Sequence, residues 1–243
     1  MVYLLAGVVV ASLLTPGLFA STISPRALPN PLIHSAEEPD QLRSLESGES
    51  SSAGPQIIEV DPETLECDVI VTFDDIPGDW SPGTNYDNIL QFSGASFAER
   101  FMGQALTFNG NFDVLSGTPS SPLTLQIGAP NQNLDVFRGY FFEYLPPTQV
   151  LAGIGPLGYP NFSGVGEGAF AALFDMDQAE VGFSLVGGDR DGTATVNFFR
   201  RNGSVIDTIV LTNLWDLVYG FQRVGGINDI AGISTTMMGR GSR

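Results

Sequence analysis

The chain has no lysine, one cysteine, one histidine and two tryptophans in 243 residues. All ten basic residues are therefore arginines, set against 27 acidic ones for a formal charge of −17. A single cysteine excludes an intramolecular disulfide. The lack of lysine excludes a Schiff base and a phosphate-cradling P-loop, and the scarcity of His and Cys excludes a zinc site of the His/Cys type and a His-based triad in the folded part. The acidic balance speaks against nucleic acid and anionic membrane surfaces, both of which would repel it. Cations, neutral glycans and basic partners remain open.

Long apolar runs are absent after the first twenty residues. "MVYLLAGVVVASLLTPGLFA" has the length and small-residue ending of a secretory signal cleaved near Ala20, with an uncleaved anchor as the alternative. With cleavage no stable membrane span remains, and the expected location is secreted or cell-surface. Residues 21–62, rich in Pro, Ser and Glu and without a hydrophobic period, read as a disordered acidic linker carrying His34. Cys67 opens the first convincing strand-like run and reads as a packed thiol.

Glycine (29) and proline (16) are abundant, and no helical period is sustained over three turns. From residue 63 to 243 the chain alternates short strand-like runs with turn clusters. In "GTATVNFF" Ala194, Val196 and Phe198 alternate with Thr193, Thr195 and Asn197, a half-buried strand. "RNGS" at 201–204 then supplies an Asn-Gly hairpin turn. The expected fold is all-β: an antiparallel β-sandwich of jelly-roll type.

The stretches "VIVTFDDIPG", "YDNILQFSGASF" and "AEVGFSLVGGDRDGTATVNFFRRNGSVIDTIVL" leading to "GINDIAGIST" resemble bacterial secreted jelly-roll modules of the kind found in PEP-CTERM-type exported proteins. The resemblance covers about two-thirds of the chain and implies a jelly-roll sandwich with a structural calcium at the opening edge. Such modules usually close with a "GIDDI" strand and a sorting tail. This chain ends "MMGRGSR", so the resemblance implies a module without that closing strand or tail.

Four groups of residues carry candidate chemistry. Asp74 and Asp75 follow the first strand-like run and are either turn formers before Pro-Gly or oxygen ligands for calcium. "GGDRDGT" at 187–193 lacks the first and last ligands of a calcium loop and reads as a hairpin turn. In "DMDQAE", Asp175, Asp177 and Glu180 match the spacing of the carboxylates of a retaining glycoside hydrolase, with Asp in place of the first Glu. Trp80, Tyr86, Tyr140 and Tyr144 could stack on sugars, since Tyr140, Phe142 and Tyr144 share one face of "YFFEY". The favoured reading is a non-catalytic module that binds an extracellular carbohydrate or matrix component, or builds surface structure. The alternative is a carboxylate-dependent glycoside hydrolase.

Overall fold

The structure is a computed structural model that describes residues 5–7, 54–66, 69–80, 82–139, 148–186, 192–214 and 217–238. The chain divides into two units, residues 1–13 with 55–243 and residues 14–54. Of the second only Gly54 is described, so most of the expected linker lies outside the described residues, as do His34 and Cys67.

Gly, Pro and Asp keep the early strands short: β1 (Leu5–Gly7), β2 (Ile57–Val60), β3 (Thr84–Tyr86), β4 (Leu90–Gln91), β5 (Ala95–Ala98) and β6 (Arg100–Phe101), with one 3-10 turn at Pro62–Thr64. The middle third holds β7 (Ala105–Asn109), β8 (Phe112–Ser116), β9 (Leu125–Gln126), β10 (Leu134–Gly139), β11 (Thr148–Ile154) and β12 (Val165–Gly168). Where β-branched and aromatic residues run longest the strands lengthen: β13 (Phe170–Gln178), β14 (Glu180–Val186), β15 (Thr193–Phe199), β16 (Val205–Thr212), β17 (Leu217–Arg223) and β18 (Ile230–Met238).

These strands form two large antiparallel sheets. One runs β2-β17-β14-β1-β11-β10-β3, with β12 also paired to β11; the other runs β16-β15-β18-β13-β5-β4. Two small ladders, β6 with β9 and β7 with β8, complete the set. One core lies between the large sheets. Leu134, Val136, Leu151, Phe183 and Phe221 from the first sheet meet Phe97, Phe174, Val196, Phe198 and Ile233 from the second. The rings of Phe198 and Phe221 meet edge to face at 5.2 Å, a direct contact between layers. The chain is an all-β sandwich.

β15 keeps the expected alternation, with Ala194, Val196 and Phe198 buried between half-exposed Thr193, Thr195 and Asn197. Its hairpin to β16 turns at Asn202-Gly203, where Gly203 takes φ 82° and its N–H donates to the Arg200 carbonyl. Only glycine adopts that conformation freely.

Several elements depart from the expectation. The run "CDVIVTF" makes no strand in its described part, residues 69–73. Val71 and Phe73 are nevertheless buried, so the segment plugs the core through its side chains without a ladder of its own. β2 lies inside the range read as linker: Ile57 is buried, and the strand pairs with β17. A four-residue strand with one inward apolar residue is too short to show a period. β18 runs past the strand-like "GINDIAGIST" to Met238 and sits between β15 and β13, with eight of its nine residues buried. β1 falls within the expected leader and pairs with β11 and β14 on either side. Cleavage near Ala20 would remove it and take from each of those strands one of its neighbours. Among the described residues no helix is long and apolar enough to cross a membrane.

Candidate functional site

β3 is an edge strand, paired antiparallel to β10 in the register Tyr86–Leu134, Asn85–Asp135 and Thr84–Val136. The loop before it carries three of the residues singled out from sequence, Asp74, Asp75 and Trp80. Phe73 closes a turn by accepting from the Ile76 N–H, so Asp74 and Asp75 occupy its corners. Asp74 Oδ1 accepts from the Gln149 N–H at 3.0 Å, tying the turn to β11. Asp75 is exposed. Among the described residues, no group of three or more His, Cys, Asp or Glu is placed to hold a metal ion. The turn-forming alternative has the Phe73–Ile76 hydrogen bond behind it.

Trp80 follows on this loop and is 50 % exposed. The Arg138 guanidinium, from the end of β10, lies over its ring at 5.6 Å, a cation–π distance. The Arg138 N–H donates to the Asp79 carbonyl, which holds the loop against β10. Tyr86 belongs to the core side: its ring packs on the central cluster and its hydroxyl donates to the Pro77 carbonyl at 2.6 Å. It is a strut for the loop and not a free stacking ring. Tyr140 and Tyr144 lie outside the described residues, as does most of "GGDRDGT".

The three acids of "DMDQAE" are committed to separate partners. Asp175 Oδ2 accepts from the Gly94 N–H at 3.0 Å, capping the β4–β5 turn. Asp177 Oδ1 accepts from Arg201 Nε at 2.9 Å and Nη2 at 2.6 Å. Glu180 opens β14 in the other large sheet, accepting from the Gln222 side chain at 2.6 Å and the Glu66 N–H at 2.9 Å. The strand change between Gln178 and Glu180 explains the separation: it moves the third acid onto a different sheet.

The structure also buries a carboxyl that sequence reading missed, Asp135, and sets Asp87, a carboxylate near the opening Asp74–Asp75 pair in sequence, beside it. Asp135 is fully buried, neither carboxylate oxygen has a hydrogen-bond partner, and burial pushes its pKa up to about 8. It sits between Leu134 and Val136, both in the central core, and so points to the opposite face of the sheet. Gly83, with φ 93°, lies over it so closely that a Cβ there would overlap Asp135 Oδ2. The Gly83 carbonyl accepts from the Tyr159 hydroxyl. Beside this, Asp87 accepts from the side-chain amides of Asn133 and Asn85 and from the Asn131 N–H. Burial pushes the Asp87 carboxyl up, but these donors outweigh it and hold it below the usual range. The available signal was a charged residue inside "LDVFRG", whose strand period is hidden because both faces are buried.

A second acidic group lies at β8 and β12. Asp113 is buried and accepts from the Ala169 N–H at 3.1 Å. Burial raises it to about 6 against that hydrogen bond and the charge of Arg100. Glu167 is raised by burial to about 8. Both keep a proton in the folded state that the unfolded chain releases near pH 4. The stability they contribute is complete below pH 4 and is lost as the pH rises through about 6 and then 8. Glu167→Gln is expected to flatten the upper part of that decline, and unfolding temperatures of both proteins from pH 4 to 9 check it. Parallel profiles would refute the assignment.

No protein-family model, no curated protein and no solved structure matches the chain.

Proposed function

We propose that this is a non-catalytic β-sandwich module, exported to the cell exterior, that binds a neutral extracellular carbohydrate at the loop carrying Trp80. The observation that carries the reading is the half-exposed Trp80 ring under Arg138 on a loop fastened to β10 and β11. An indole face offers stacking area to a sugar ring, and a guanidinium beside it offers several directed N–H donors to hydroxyl oxygens. The net charge of −17 favours neutral over acidic glycans. The leader-like first twenty residues and the resemblance to exported jelly-roll modules support placement outside the cell.

The hydrolase alternative has less support, because Asp175, Asp177 and Glu180 each serve a structural partner. Gel retardation in a panel of neutral polysaccharides tests the binding reading. Trp80→Ala is expected to weaken retardation by roughly 10- to 30-fold, the loss of one stacking anchor. Retardation by no glycan, or equal retardation of the variant, would refute it.

A further inference from the structure

Asp135 poses a problem of charge. A carboxylate removed from water with neither oxygen hydrogen-bonded is one of the most expensive arrangements a fold can hold, and it persists only where something neutralises it. No arginine is paired with it among the described residues. Its cross-strand partner Asn85 presents a second unpartnered oxygen, because the buried Oδ1 of Asn85 has no donor either. Directly opposed residues of an antiparallel pair put their side chains on the same face, about 5 Å apart at Cβ.

The orientation of that amide is enforced. Asn85 Nδ2 donates to Asp87 Oδ2 at 3.1 Å and to Asn131 Oδ1 at 3.2 Å. Both partner atoms are acceptors, so the nitrogen faces them and the carbonyl oxygen is turned away. Asp87 is in turn fixed by Asn131 and Asn133. An acidic residue that orients a neutral donor oxygen beside a buried carboxylate is the arrangement of an outer shell around a metal.

We propose that Asp135 and Asn85 form a binding site for a hard divalent cation of the calcium class, beneath the loop at Gly83. The donors are all oxygens: both carboxylate oxygens of Asp135 and the carbonyl of Asn85. With an ion in place of the proton on Asp135, the carboxylates of Asp135 and Asp87 would supply two negative charges, which a divalent ion balances. Oxygen-only donors suit calcium and exclude the soft metals that need sulfur or imidazole. The site is distinct from the Asp74–Asp75 turn and does not depend on carbohydrate binding at Trp80. It would fasten β3, an edge strand with three residues, to β10.

The competing occupant of the same oxygens is a proton shared between the Asp135 carboxyl and the Asn85 carbonyl. The test uses the full chain, stripped with chelator and titrated with calcium ion, with the unfolding temperature read at each step. Calcium at a hundredfold excess over its Kd is expected to raise that temperature by roughly 5–10 °C. The response should vanish in Asp135→Asn, weaken in Asn85→Ala and survive in the Asp74→Ala/Asp75→Ala double variant. Terbium ion gives an independent readout through sensitised luminescence from nearby Tyr86, expected in the native chain and lost in Asp135→Asn. If Asp135→Asn does not fold, Asn85→Asp replaces it: an added carboxylate should tighten terbium binding at least tenfold. A native chain that responds to neither ion assigns the oxygens to a proton and overturns the proposal. A response retained in Asp135→Asn, or unchanged by Asn85→Asp, places the ion elsewhere and overturns it too.

Discussion

Phe198→Ala is expected to destabilise the sandwich by about 3–5 kcal/mol, the usual loss for emptying a buried phenylalanine site. Phe198 is wholly buried at the middle of the interface between sheets, edge to face with Phe221, which in turn contacts Phe183 at 5.5 Å. Collapse around the missing ring is restricted on both sides. β15 is held by two antiparallel ladders, to β16 and to β18, so the backbone cannot move inward without breaking one of them. Urea unfolding monitored by circular dichroism measures the effect. Val210→Ala, on the exposed face of β16, serves as the control and should stay within roughly 0.5 kcal/mol of the native chain. Equal midpoints for the two variants would mean that the sheets do not share this core.

Arg223→Ala is expected to cost roughly 3 kcal/mol, near the lower end for breaking a buried ion pair because Asp229 retains some exposure. Arg223 Nε donates to Asp229 Oδ1 at 2.8 Å, and Nη1 donates to the backbone and side-chain oxygens of Gln56, both at 3.0 Å. One side chain thereby joins the end of β17 to the segments entering β2 and β18. Its loss leaves the Asp229 carboxylate with Arg200 and strips donors from Gln56. Arg200 is more exposed and bonds Asp229 through Nε at 3.0 Å, so Arg200→Ala should cost no more than about 1 kcal/mol. Thermal unfolding of both variants checks the ranking. A greater loss from Arg200→Ala would show that the burial of Arg223 does not govern this clamp.

Asp229 shows why the end of the chain was hard to read. From sequence, "INDIAGIST" reads as a strand, but "GINDI" gave no sign of what its aspartate would meet. In the fold Asp229 receives two arginines and β18 becomes a central strand. Arg223 ends β17 and Arg200 opens the turn after β15, and no local pattern encodes that meeting. The acids of "DMDQAE" fail as a site for a related reason: spacing along the chain says nothing about the sheet change after Gln178.

What the sequence determined by itself was local. Alternation in β15, the Asn-Gly turn and the abundance of Gly and Pro are properties of neighbouring residues, and they suffice for an all-β chain. The missing lysines and the near-absence of His and Cys also limited the available chemistry without any coordinates. Tertiary structure decided which strands were buried on both faces, and there periodicity disappears because each residue meets protein whichever way it points. β10 is such a strand. For that reason Asp135, a single acid in an apolar run, became visible as a candidate site only when its cross-strand partner Asn85 and the overlying Gly83 were in place.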